Sequence, residues 1–146
     1  MCFLATTELS LYNFESTKIS LLYFDKNMHK ITMYGIKNCD TIRKATKWLN
    51  QNNIHHQFHD LRDGTLTKAT LEKWVLAAGY EVVLNKRGTT WRKLPMETQK
   101  KVSGLNIIQL LLEQPTMIKR PILDVDGAIH VGFTLGQYKA IFAHQP

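Results

Sequence analysis

The chain has 146 residues, 44% of them hydrophobic and 10% aromatic, which suits one domain with a real core. Its two cysteines, Cys2 and Cys39, are too few and too far apart for a disulfide framework, and they point to a reducing compartment. The formal net charge of +7 suits an anionic small molecule, nucleic acid or an acidic partner, and no apolar run is long enough to cross a bilayer.

Residues 1–27 show no clear helical period and no turn chemistry leading into a packed element. They read as an upstream extension, with translation starting at Met28, or as an arm docked through Leu11, Tyr12, Leu21, Leu22, Tyr23 and Phe24. The start lacks the basic segment of a secretory signal, so the chain reads as cytoplasmic, with a folded domain over 28–146.

Ile31 and Met33 alternate with polar Thr32, as in a strand. The segment 40–49 follows with Ile42, Ala45 and Leu49 on one helical face and Trp48 at its border. Ile54, His56 and Phe58 alternate again. One helix between two strands predicts a parallel βαβ unit. Thr67 or Thr70 can cap the next helix, whose stripe of Leu71, Trp74, Val75 and Ala78 ends at Gly79. Val82-Val83-Leu84 leads into a polar loop, 85–91. Pro95 to Lys101 reads as a short helix with Pro95 in its first turn, and 105–112 as another. Strands over 122–125 and 128–131 flank Asp126-Gly127, a strong hairpin signal. Leu135, Tyr138 and Phe142 mark a last helix. The order β-α-β, helical insert, β-β-α predicts an α/β fold, a thioredoxin-like mixed sheet with helices inserted between its halves.

Cys39 falls where the first strand gives way to the first helix. Unpaired N–H groups at a helix start favour an anion, so a cysteine there has its thiolate stabilised, and the thiolate is the nucleophile. Lys37 and Arg43 are expected to add to this effect, and the polar neighbours Lys37, Asn38 and Asp40 argue against a packing role. Asn38 can hydrogen-bond the sulfur or shape the turn. The residue three after Cys39 is Ile42, so no CxxC is present. A lone thiolate needs a second molecule to resolve it, and glutathione suits a reducing cytoplasm. Its carboxylates suit Lys37, Arg87 and Arg120. His55, His56 and His59 lie along a strand and its flank, where alternate side chains diverge, so no metal is expected.

Three separated motifs carry a family resemblance: 34–41 (YGIKNCDT), 85–94 (NKRGTTWRKL) and 118–123 (IKRPIL). Together they resemble the ArsC family of glutaredoxin-coupled arsenate reductases, Spx regulators and YffB-type proteins, the YffB branch above all. The resemblance implies a thioredoxin-like fold, a catalytic Cys39 and thiol chemistry with glutathione as co-substrate. It also implies a cis bond before Pro121 and a place for Arg120 and Pro121 beside the sulfur. The family's middle arginine falls at Asn85, two residues before Arg87, and an arginine expected in the insert is nearest to Lys68. The reading is therefore a glutathione-dependent thiol reductase, with Lys37, Asn38, Arg87, Arg120 and Pro121 binding substrate. Its partners are glutathione and glutaredoxin or an oxidised protein thiol, without nucleic acid or membrane, and the protein is expected to be a monomer. The alternatives are an arsenate reductase and an Spx-like regulator that binds RNA polymerase.

Overall fold

The computed structural model describes residues 29–104 and 106–143. The expected leader, residues 1–27, lies outside them. A four-stranded sheet of order β2-β1-β3-β4 forms the centre. It contains β1 (Ile31–Gly35), β2 (Gln57–Asp60), β3 (Ile122–Val125) and β4 (Ala128–Val131). β1 runs parallel to β2 and antiparallel to β3, and β4 is antiparallel to β3. The α/β, thioredoxin-like architecture is as the element order predicts.

Alternation along the strands divides the core between the two faces of the sheet. Ile31, Met33 and Leu123 point to one face, where α1 (Asp40–Gln51) adds Ile42, Ala45 and Leu49. The last helix, α7 (Leu135–Phe142), adds Tyr138 and Phe142 to the same cluster. Ile122 points to the other face, where α2 (Lys68–Ala78) contributes Leu71 and Trp74. Tyr34 packs edge-on against Trp74 there, with ring centroids 4.8 Å apart.

The termini of α2 and α7 follow from local chemistry. The Thr67 hydroxyl accepts a hydrogen bond from the Thr70 N–H at 3.2 Å, and Thr134 does the same for Gln137 at 3.1 Å. Gly79, at φ 85°, ends α2. Asp126 (φ 51°) and Gly127 (φ 95°) make the tight hairpin between β3 and β4.

The second strand begins later than the alternation of Ile54, His56 and Phe58 suggests. Asn52 ends α1 and Asn53 takes φ 56°, so the chain is still turning back at Ile54, whose N–H bonds the Leu49 carbonyl at 3.0 Å. The stretch after Gly79 is also more ordered than a polar loop. It forms α3 (Tyr80–Val83) and α4 (Thr89–Lys93), because Val83 and Trp91 are both buried and draw single helical turns onto the core. α5 (Met96–Lys101) starts one residue after Pro95, whose carbonyl accepts from Thr98 and Gln99 at 2.9 and 3.0 Å. α6 (Ile107–Glu113) buries Ile107 and Leu111, and a 3-10 turn (Pro115–Met117) leads back to the sheet. The insert closes on itself: Leu84 bridges Ile118, the Asn85 N–H bonds the Met117 carbonyl, and the Lys119 N–H bonds the Val83 carbonyl, the last two both at 2.8 Å.

Candidate active site

The turn after β1 places Cys39 at the N-cap of α1, with extended backbone (φ −114°, ψ 128°). Its side chain is half-buried and makes no capping bond. It opens into a cleft of about 570 Å³. Asn38, Asp40 and Thr41 line one side, Gly88, Thr89 and Thr90 another, and Thr116 and Arg120 a third. The first half of the fold thus supplies the thiol. The insert adds the Thr89, Thr90 and Thr116 hydroxyls to that of Thr41, and the return to β3 supplies a guanidinium.

Burial pushes the Cys39 thiol up. It is outweighed by the backbone N–H groups of Ile42 and Thr41, by the positive charge of Arg120 and by the Thr41 hydroxyl, so the thiol lies below its ordinary value. Two of the four favourable contributions are free amides at a helix start, as the sequence position predicts.

The sequence-predicted residues separate into two groups. Asn38 and Arg120 line the cleft with Cys39. Pro121 follows Arg120 through a cis peptide bond and is buried, with its carbonyl accepting from the Gly132 N–H at 2.7 Å. The Arg120 guanidinium contacts the Thr116 carbonyl at 3.4 Å. Lys37 and Arg87 are not brought to the thiol. Lys37 emerges on the opposite flank of α1, where Arg43 also sits, paired with Asp40. Arg87 is exposed outside the cleft lining, because its N–H is used to close a turn on the Asn85 side-chain oxygen at 3.2 Å. Lys68 is exposed at the start of α2 and faces Glu72 at 3.6 Å. The charge near the sulfur therefore comes from Arg120 rather than from Lys37 or Arg43.

Arg62 is the cleft residue that sequence reasoning passes over. Its N–H bonds the Asp60 carboxylate at 3.0 Å and its guanidinium approaches the same group at 3.5 Å. Against the opposing effect of burial, Arg62 and the Lys37 backbone nearby hold the Asp60 carboxyl below the usual carboxylate range. The Asp-x-Arg spacing directly after a strand is the signal that could have found it. Among the described residues, no cluster of His, Cys, Asp or Glu could hold a metal ion.

The family model of the ArsC family matches residues 34–141, a span that contains the whole site. The chain belongs to the ArsC family. An uncharacterised protein of Haemophilus influenzae is 44% identical over 113 residues, which are 77% of this chain and 99% of that one. The global transcriptional regulator Spx of Streptococcus mutans is 25% identical, over 75% of this chain and 81% of its own. Among solved structures, a YffB protein superimposes with a TM-score of 0.72 at 39% identity, covering 76% of this chain and 97% of that one. An arsenate-reductase-related ArsC protein from Brucella melitensis gives 0.66 at 43% identity, covering 77% and 94%. The Cys39 cleft and the core around Trp74 fall within the matched span, while Ile31, Met33 and Phe142 of the other core lie just outside it.

Proposed function

We propose that this ArsC-family protein is a glutathione-dependent thiol–disulfide reductase of the cytoplasm, acting as a monomer, with Cys39 as its nucleophile. The observation that carries the reading is a half-buried thiol held below its ordinary pKa by helix amides and Arg120, in a cleft open to solvent. The Cys39 thiolate attacks the glutathione sulfur of a mixed disulfide. The old S–S bond breaks, the substrate leaves as a thiolate, and Cys39 carries glutathione. A second glutathione thiolate then attacks that sulfur. It releases glutathione disulfide and restores the Cys39 thiolate, so the substrate thiol's release is matched by oxidation of the one incoming glutathione, the other half of the glutathione disulfide coming from the mixed disulfide itself. Glutaredoxin is the alternative donor for this second step.

Arg120 suits a glutathione carboxylate, and Asn38 shapes the turn that presents the sulfur. The Arg120 peptide group, beside Pro121, makes no backbone hydrogen bond among the described residues and is left for the peptide part of glutathione. Lys37 and Arg87 act at longer range, if a larger substrate reaches them. The test is direct. The protein is incubated with glutathione disulfide and its intact mass measured. A gain of one glutathione, lost in Cys39→Ser, is the expected result; an unchanged mass overturns the reading.

One observation favours a second reading, arsenate reduction. Arg62 and Arg120 both line the cleft, and converging guanidiniums offset the repulsion between an oxyanion and a thiolate. Arg62 is partly neutralised by Asp60, which makes glutathione the better fit.

A further inference from the structure

A second concavity, of about 770 Å³, lies on the other flank of α1. Ile42 and Phe58 form its floor; Lys37, Arg43 and Lys47 stand around it, with His56 at the β2 end. No carboxylate lines it. Arg43 is paired with Asp40, but Lys37 and Lys47 have no carboxylate partner among the described residues. β2 is an edge strand of the sheet, and an edge strand offers backbone groups to an added extended segment.

The groove and the Cys39 cleft are neighbours on one helical turn. Asp40 and Thr41 line the cleft, while Ile42 and Arg43 line the groove. A mixed disulfide has two halves, and they must leave the attacked S–S bond in different directions. The proposed chemistry places the glutathione half on the Arg120 side. The other half is then directed past the N-terminus of α1, toward the groove. An apolar floor flanked by the unpaired cations Lys37 and Lys47 complements a segment that joins an apolar side chain to carboxylates.

Resting on the function proposed above, we infer that the substrate is a glutathionylated protein whose cysteine is flanked by an acidic segment. That segment docks in the α1–β2 groove, with an apolar side chain on Ile42 and Phe58 and carboxylates beside Lys37 and Lys47. The preference weakens with added salt, as exposed pairs do.

The test uses two glutathionylated peptides of equal length, one with glutamates and a leucine beside the cysteine and one with lysines in place of the glutamates. The protein is expected to turn over the acidic peptide with a kcat/KM roughly tenfold higher, as a few exposed ion pairs together supply. Lys47→Glu should abolish that preference and Lys47→Arg should keep it, while turnover of a small glutathione mixed disulfide is unchanged in both. Equal kcat/KM for the two peptides, with the small substrate still reduced, overturns the groove and leaves the reductase standing. If no substrate is reduced, the reductase reading fails, and binding then decides the groove separately. The Cys39→Ser protein should bind the unmodified acidic peptide more tightly than the basic one, and Lys47→Glu should remove the difference. Absence of that difference overturns the inference, as does a groove that takes only a fatty carboxylate or a second copy of the chain.

Discussion

Arg120 faces Cys39 across the cleft and holds its thiol toward the anionic form, although the two residues come from opposite ends of the fold. Thr41 acts on the same sulfur from the helix side, through both its N–H and its hydroxyl. The cleft thus surrounds one potential anion with donors from α1 and a charge from the approach to β3.

The first prediction concerns that anion. Alkylation of Cys39 followed against pH should give a midpoint below that of a free thiol, about 8.5. Thr41→Val keeps the backbone N–H and loses the hydroxyl, so its midpoint should rise part of the way back. Because the fold holds the thiolate better than the unfolded chain does, this site stabilises the fold fully above the unfolded thiol's pKa. The contribution is lost as pH falls through the lowered folded value. A midpoint at the free-thiol value would sink the electrostatic account.

Arg120→Ala separates substrate binding from thiol activation. The guanidinium is fixed in charge and half-buried beside the thiol. Its removal should lower kcat/KM for glutathione mixed disulfides by about ten- to a hundredfold, the weight of a charge-assisted contact. A neutral small disulfide should suffer much less. Equal losses on both would assign Arg120 to activation or structure alone.

Arsenate distinguishes the two enzymatic readings. With glutathione and glutaredoxin supplied, glutathione-linked disulfide reduction should be measurable and arsenate reduction negligible. Robust arsenite production that disappears in both Cys39→Ser and Arg62→Ala would reverse the ranking.

Gly35 is where packing reaches the site. A Cβ there would stand 2.1 Å from the Cδ1 and 2.8 Å from the Cγ1 of Ile42. Ile42 is only 4% exposed and cannot swing aside. Gly35→Ala should therefore cost about 1–3 kcal/mol in chemical denaturation, the usual penalty of overpacking. It should also slow Cys39 alkylation, since the displaced turn of α1 carries the amides that favour the thiolate. Unchanged stability would show that α1 shifts freely.

Tyr138 gives a prediction of opposite sign. Its hydroxyl is buried between Trp48, Phe133 and Phe142 with no hydrogen-bond partner among the described residues. Burial accordingly pushes its ionisation upward. Tyr138→Phe should leave the melting temperature equal or higher, because an unsatisfied buried hydroxyl costs about 1–3 kcal/mol. A clear loss would reveal a partner.

Much of this was legible in the sequence. Asp126-Gly127 dictated the hairpin, and the strands around it run over 122–125 and 128–131 as expected. The strand-to-helix switch at Cys39 announced the N-cap. The direction of neighbouring side chains was not legible. Lys37 and Arg43 are close to Cys39 along the chain, yet α1 turns them onto its far flank, so proximity in sequence overstated their electrostatic role. Arg62 and Thr116 reach the cleft only because distant turns converge, which local periodicity does not encode. Short helices such as α4 were hidden because a single buried tryptophan, rather than a repeating stripe, holds the turn.

The pairing of Leu84 with Ile118 has a wider meaning. It clasps the two ends of segment 85–117 side by side, so that part of the insert is a closed excursion rather than a linker. Inside that clasp, α4 and the 3-10 turn carry Thr89, Thr90 and Thr116 to the mouth of the thiol cleft. Trp91, Ile107, Leu111 and Met117 anchor the excursion in the core beside Ile36 and Ile122, while the threonines at the cleft mouth lie outside that core. One nucleophile on a fixed frame can thereby be fitted with a different wall for each substrate.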